Sequence, residues 1–164
     1  MESLEETLPA SERLKSPMEL LAITDHHDFR FAVADYVFAK HRIHGWESLT
    51  AFERVIWHAL DCEFREAQWT LLYEAFEGDE RCSTLVAALE EIGAYRAADG
   101  LRRVYALYAA VPPERAANAH TLGDWIELVG EKPLEVIRST LIDNEVQHCL
   151  CTYINERRIR LRPD

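Results

Sequence analysis

Seven histidines and four cysteines are the residues of this chain that could ligate a metal. Zinc sites need Cys and His at short, regular spacings, but no Cys-x-x-Cys pair or His-Glu-x-x-His run is present. His41 and His44, three residues apart, fall at the end of a predicted helix, where imidazole interacts favourably with the helix dipole. Cys149 and Cys151 point to different helix faces, and we expect them to fill the core. We therefore predict no metal site and no cofactor.

Glu63 is the one carboxylate whose sequence context fits general acid or base chemistry. It borders the apolar stripe of a predicted helix, between Leu60 and Ala67, and burial there would raise its pKa. No second group is evident beside it, and the chain has no nucleophile elbow or glycine-rich phosphate loop. A hydrogen-bonded structural carboxylate is the favoured interpretation of Glu63, and a small hydrolase the less favoured one. We predict that the protein is not an enzyme.

Acidic residues on either side of position 70 form the most informative pattern. Glu63, Glu66, Glu74 and Glu77 are spaced by 3, 8 and 3 residues, which keeps them on one flank of a continuous helix. This acidic ribbon would be about 21 Å long, comparable with several phosphates along a DNA strand. The carboxylates could replace phosphates towards a basic partner, or form an ordinary solvated face. The predicted partner-binding residues are Glu63, Glu66, Glu74, Glu77, Asp79 and Glu80.

The charge balance is acidic, with 29 Asp and Glu against 18 Lys and Arg and a net charge of -11. Four of the arginines fall in the last eight residues, so residues 1–156 carry 28 acidic and 14 basic side chains, a net of -14. Because phosphate contacts need clustered cations, nucleic acid is disfavoured as a direct ligand and a basic partner is favoured. High net charge also serves solubility alone. Without an 18-residue apolar run or a signal-peptide pattern, we expect a cytoplasmic protein without membrane contact.

Helical periodicity runs through most of the 164 residues, and local signals mark the helix ends. Ser16 and Thr50 each precede a glutamate by three residues, as in capping boxes, and Gly45 and Gly93 follow apolar runs as stop signals. No segment alternates as a strand would. We predict one compact all-α domain of about six to eight helices over residues 16–158, with a flexible arm at 1–15 and a basic tail at 159–164. The predicted helices begin at Pro17, Asp25 or Asp28, Ala51 (running to Phe76), Ser83 or Thr84, Ala94, Glu114 and Asp143, with short helices between Leu122 and Ile142.

Three segments resemble a family of small all-α bacterial proteins, the DMP-type DNA mimics. They are residues 49–64, the Leu-Val-Ala-Ala-Leu-Glu-Glu-Ile-Gly-Ala run at 85–94, and Leu-Cys-Thr-Tyr-Ile at 150–154. The resemblance covers roughly Phe29 to Arg158. It departs from the family pattern at 65–69, where Arg-Glu-Ala-Gln-Trp replaces a glycine-containing turn. Around this turn, only Glu63, Trp69 and Tyr73 match the family pattern.

The resemblance implies a non-enzymatic homodimer whose acidic surface imitates DNA and occupies the DNA-binding face of a transcription regulator. A second hypothesis is an immunity or antitoxin-like protein that blocks a toxin. The small hydrolase using Glu63 is the third. A pull-down separates them, because a regulator, a toxin and no protein partner each indicate a different class.

Overall fold

The computed structural model describes residues 14–66, 79–132, 135–136 and 144–161; most of these residues are helical, and none of them lies in a strand. The predicted all-α class and the predicted number of helices are confirmed. Two short 3-10 helices, Trp46–Ser48 and Arg158–Leu161, accompany eight α-helices in the described ranges. The α-helices are α1 Pro17–Leu21, α2 His26–His44, α3 Ala51–Glu66, α4 Asp79–Glu91, α5 Tyr95–Ala109, α6 Pro113–Ala116, α7 Leu122–Val129 and α8 Glu145–Glu156.

Side chains cap the first three helices as the sequence predicts. The Ser16 hydroxyl accepts a hydrogen bond from the Glu19 amide at 3.3 Å, and the Glu19 carboxylate accepts one from the Ser16 amide at 2.7 Å. Thr50 and Glu53 form the same reciprocal box before α3. Asp25 caps α2 by accepting from two backbone amides. These bonds satisfy amides that have no partner within their own helix.

The predicted start of α4 is wrong. The helix begins at Asp79, so Ser83 and Thr84 lie inside it rather than at its N-cap. Their hydroxyls donate to the carbonyl oxygen of Glu80, at 3.0 and 2.8 Å. Serine and threonine hydroxyls can bond a carbonyl of the preceding turn as well as cap a helix start. The same residue types therefore fit both positions, and the sequence pattern did not separate them.

Parts of the predicted organisation fall on residues outside the described ranges. The helix predicted from Ala51 to Phe76 is described to Glu66, so its continuity into the second half of the acidic ribbon stays a prediction. Asp143, predicted as the cap of the last helix, also lies outside, as do residues 1–13 of the arm. The first residues of the predicted tail belong to a 3-10 helix in which Leu161 is buried. The domain boundaries stay predictions.

The chain divides into two compact units, Met1–Trp57 with Cys151–Asp164 (unit 1) and His58–Leu150 (unit 2). The core of unit 1 forms around α2, whose Phe29, Val33 and Val37 are fully buried. Phe52 stacks on Tyr153 with ring centroids 5.5 Å apart. Leu20, Ile56 and Ile154 complete this core.

The core of unit 2 is built mainly from α4 and α5, which pack against each other. Their buried apolar residues recur at helical spacing, as predicted. A smaller cluster joins Val104 and Tyr108 to Val136, with α7 residues packed against it. Tyr108 meets Trp125 edge-on at 5.2 Å, and burial raises the pKa of Tyr108. The main set of buried residues is Leu60, Leu85, Leu89, Ile92, Ala98, Leu101 and Leu150.

Candidate functional site

The six predicted partner-binding residues are described to different extents. Glu63 and Glu66 lie in the last turns of α3, and Asp79 is the first residue of α4, but their side chains are outside the described set. Glu74 and Glu77 are outside it entirely. The side chain of Glu80 is described, and it is exposed in the first turn of α4. The predicted ribbon therefore stays a prediction, and the partial burial expected for Glu63 stays one with it.

The exposed side of α4 is a second acidic surface, in which Glu80 was predicted as a partner-binding residue and Glu91 was not. Glu80, Ser83, Thr84, Ala87 and Glu91 are exposed at successive steps of three, one, three and four residues, while the opposite side of the helix enters the core. Glu80 and Glu91 are three turns apart, a distance of about 16 Å along the helix. We call this surface the α4 acidic face.

The charge of the chain is concentrated in one of the two units. Unit 2 holds 17 Asp and Glu against 8 Lys and Arg, a net charge of -9, whereas unit 1 holds 12 against 10, a net charge of -2. Unit 2 contains the residues of the predicted acidic ribbon, the α4 acidic face and further exposed carboxylates on later helices, among them Asp99 and Glu127. Cations approaching the protein will therefore be attracted mainly to unit 2.

Two half-buried arginines near the C-terminus, Arg157 and Arg158, pack against aromatic rings of unit 1. The Arg158 guanidinium lies 3.9 Å from the centroid of the Phe29 ring and donates to the carbonyl oxygen of Ile23. The Arg157 guanidinium lies 4.1 Å from the centroid of the Tyr153 ring. Contacts of this kind combine cation–π attraction with packing of the side-chain stem. These two cations are fixed by the fold.

A groove lies between α4 and α5 among the described residues of unit 2. Its volume is about 310 Å³. One guanidinium nitrogen of Arg102 lies 2.5 Å from a carboxylate oxygen of Glu90 at the edge of the groove. The groove joins residues from two helices, so no local pattern in the sequence indicates it. Its lining includes Cys82, Val86, Ala87, Glu90, Arg102 and Tyr105.

The two histidines tested for metal binding take separate roles. His41, in the last turn of α2, packs against both Trp46 and Trp57, with ring centroids at 6.0 and 5.4 Å. His44 is exposed. Across the described ranges, no three His, Cys, Asp or Glu residues are grouped closely enough to hold a metal ion. The predicted position of this pair at a helix end is confirmed.

None of the four cysteines is in a disulfide. Cys62 and Cys82 are buried, but Cys149 and Cys151 are half-buried, so the expectation that the latter two fill the core is wrong. Both lie on α8 close to its solvent-facing boundary, where burial is incomplete. Burial and the charge of Glu145 raise the pKa of the Cys149 thiol. A raised pKa keeps the thiol protonated and makes Cys149 a poor nucleophile.

Comparison with known proteins identified no relative of this chain. No family model matches the chain, and neither the curated proteins nor the solved structures include a match. The resemblance to DNA mimics therefore stays a prediction that rests on the quoted residues alone. In the part of the chain that the structure describes, no helix has both the length and the apolar character needed to cross a membrane.

Proposed function

We propose that this chain is a non-enzymatic interaction protein that binds the DNA-binding face of a basic protein, such as a transcription regulator, in place of DNA. The observation that carries the proposal is the net charge of -9 in unit 2, against -2 in unit 1. An even distribution of the negative charge over both units would keep the protein equally soluble. Concentration of the charge in one unit favours a surface that attracts cations.

The α4 acidic face supports the same proposal. Its carboxylates stand on a helix packed into the core of unit 2, so their backbone positions are held at fixed intervals. Phosphates of one DNA strand recur at about 3.4 Å along the axis, and a protein that reads their charge would accept carboxylates along a line of similar extent. Complementary charge would speed association and select basic partners over acidic ones. The residues of the predicted acidic ribbon belong to the same unit and add to its negative charge.

Two further parts of the proposal follow from the resemblance. We propose a homodimer, as the DNA-mimic family implies, and a cytoplasmic location, where DNA-binding regulators are available as partners. A partner that does not bind DNA would instead favour the immunity-type hypothesis. The identity of the partner is the property that separates these functions.

Displacement from DNA tests the proposal directly. Basic proteins from the source cells are retained on immobilised duplex DNA and then eluted with the purified full-length chain at low salt. We expect the wild type to release a DNA-binding protein, identified by mass spectrometry, and operator DNA to compete for it. Direct binding with a purified candidate regulator then gives the affinity.

A matched pair of variants makes this test specific to unit 2. Glu80→Lys with Glu91→Lys reverses the α4 acidic face, and we expect it to weaken release about 10-fold or more. Asp35→Lys with Glu156→Lys changes the net charge equally at exposed positions of unit 1 and should release the partner as the wild type does. Equal behaviour of the two variants, or release of no protein by the wild type, would contradict the proposal.

A further inference from the structure

The guanidinium of Arg102 lies at the edge of the α4–α5 groove, where it pairs with the carboxylate of Glu90. Arg102 and Glu90 form a close pair, yet their side chains are 51% and 42% exposed. Water and salt weaken an ion pair at such exposure, so the pair contributes little to stability. A guanidinium from another molecule can therefore replace Arg102 at Glu90 at small cost.

The walls of the groove fit the stem of an arginine side chain. Val86 and Ala87 of α4 supply apolar surface, and Tyr105 of α5 supplies an aromatic ring. Methylene groups of arginine pack well on such surface while the guanidinium stays at the polar edge. The face of a tyrosine ring attracts a nearby cation in addition. The volume of about 310 Å³ leaves room for one such side chain.

The charge around the groove favours a cation over an anion. Glu91 follows Glu90 on α4, and Asp99 lies one turn before Arg102 on α5; both are exposed. Unit 2 as a whole carries a net charge of -9. An anionic ligand would be repelled by this net negative potential, whereas a cationic side chain is attracted by the carboxylates around the groove and competes there with Arg102.

We propose that the α4–α5 groove binds an arginine side chain of the basic partner, which exchanges with Arg102 at the carboxylate of Glu90. Arg102 is thus an intramolecular competitor that occupies the site until the partner arrives. The inference rests on the proposed function and deepens it, because it names the partner side chain and the residue that receives it. It predicts that removal of the positive charge of Arg102 strengthens binding more than removal of the charge of the neighbouring Arg103.

Two peptides probe the site without knowledge of the partner. The first is an alanine-based helical peptide with arginines at every fourth position, and the second carries citrulline, the neutral isostere, at the same positions. Binding to the full-length chain is followed by amide chemical shifts in NMR at low salt. We expect the arginine peptide to shift the amides of Ser83, Ala87 and Arg102, and the citrulline peptide to bind at least 10-fold more weakly.

Four single variants test the exchange, because the change in affinity for the arginine peptide should have opposite signs at Arg102 and at Glu90. Arg102→Ala should bind the arginine peptide about three- to five-fold more tightly, whereas Arg103→Ala, its exposed neighbour, should show a smaller and general electrostatic gain. Glu90→Gln should lose about 10-fold, whereas Glu127→Gln, an exposed position on α7, should lose little. Weaker binding in Arg102→Ala, or equal binding of the citrulline peptide, would overturn the proposal. Far-ultraviolet circular dichroism checks that each variant keeps its helix content.

The two proposals fail in different experiments. If the full-length chain displaces a DNA-binding protein but the Glu90 and Arg102 variants behave as their controls do, the exchange site is wrong and the proposed function stands. If the peptide experiments give the expected signs but no DNA-binding protein is displaced, the groove binds arginine and DNA mimicry is wrong.

Discussion

The buried carboxylate of Glu53, in the first turn of α3, accepts hydrogen bonds from the ammonium of Lys40 at 2.9 and 2.8 Å. One of its oxygens also accepts from the Thr50 amide at 2.7 Å. Glu53 is 4% exposed, and Lys40 comes from the C-terminal half of α2. A single side chain thus caps α3 and joins it to α2, inside unit 1.

Lys40→Met tests the strength of this pair. The methionine keeps much of the apolar stem but leaves the Glu53 carboxylate buried beside an uncharged group. Removal of one partner of a buried pair typically costs about 3 kcal/mol or more, because the remaining charge is uncompensated. Because the Lys40 side chain is 18% exposed, we expect a smaller loss of about 2 to 3 kcal/mol in the free energy of unfolding, measured in urea. Glu47→Gln, which removes a highly exposed partner of Arg54, should cost less than about 0.5 kcal/mol.

The same network predicts a loss of stability in alkali. Burial opposes the charged form of Lys40, but hydrogen bonding and the charge of Glu53 outweigh it and raise the pKa of Lys40 above 10.5. Burial, followed by the charge of Glu53, raises the pKa of Tyr36 above 10.0. In the folded state both groups keep their protons to a higher pH than in the unfolded state. Their contribution to stability is therefore complete below about pH 10 and is lost as the pH rises through their folded-state pKa values.

Urea unfolding between pH 8 and 11.5 measures that slope. We expect Lys40→Met combined with Tyr36→Phe to reduce the fall in stability per pH unit above pH 10. The double variant is compared with the wild type at each pH, so that general effects of alkali cancel. A double variant with the wild-type slope would show that other groups dominate the alkaline transition.

The cap of α2 gives a dependence of opposite sign, at acid pH. Hydrogen bonds from the amides of Asp28 and His27, each 2.9 Å long, lower the pKa of Asp25 below 3.8. The cap therefore contributes fully above that value and is lost as the pH falls through the folded pKa. Asp25→Asn keeps an acceptor at the N-cap. We expect this variant to match the wild-type urea midpoint near pH 7 and to lose less stability between pH 4 and 2; equal acid slopes would contradict the assignment.

Gly93→Ala tests the turn between α4 and α5. Gly93 has a φ of 88°, in the left-handed region, and a Cβ built there meets no atom within 4 Å. The cost of alanine is therefore conformational, and we expect a loss of about 1 kcal/mol in the free energy of unfolding. Gly123→Ala is the matched control, because Gly123 has helical geometry and the added Cβ makes an ordinary contact. The control should be neutral or slightly stabilising, and equal losses in the two variants would point to packing instead.

Local signals in the sequence predicted the helix ends well. The capping boxes at Ser16 and Thr50 and the stop at Gly93 depend on residues within four positions, so their chemistry is visible in the sequence. The start of α4 was predicted wrongly because the hydroxyls of Ser83 and Thr84 have two local options. Only packing of the whole helix selects between them.

Contacts between distant residues could not be predicted in this way. The Glu145 carboxylate accepts hydrogen bonds from the amides of Ala97 and Arg96, at 2.9 and 3.3 Å, from 48 and 49 positions away. The pairing of Glu90 with Arg102 likewise needs α4 and α5 to be in place. The candidate groove is formed entirely by such contacts. The sequence therefore indicated the acidic character of the site but not its most specific residues.

Charge reversal of the acidic ribbon decides which carboxylates a partner contacts. Glu66, Glu74 and Glu77 are changed to Lys. Glu63 is kept because its apolar neighbours in sequence predict partial burial, so a lysine there could unfold the protein and lower binding for that reason. We expect partner affinity to fall at least 10-fold and its salt dependence to flatten, since screening acts beyond a Debye length of about 8 Å. Exposed substitutions should change the free energy of unfolding by less than about 0.5 kcal/mol each.

The α4 acidic face provides the comparison for this ribbon variant. If the partner spans both surfaces, the ribbon variant and the Glu80→Lys, Glu91→Lys variant should each weaken binding, and their combination should weaken it further. Titration calorimetry at 50 and 200 mM salt measures the affinities and their salt dependence. If the ribbon variant binds as the wild type does, and operator DNA does not displace the partner, then mimicry through this helix is wrong. Charge reversal acts mainly on the surface that the partner contacts. A loss of affinity in the α4 variant alone would therefore indicate that the partner contacts α4 and its groove rather than the ribbon.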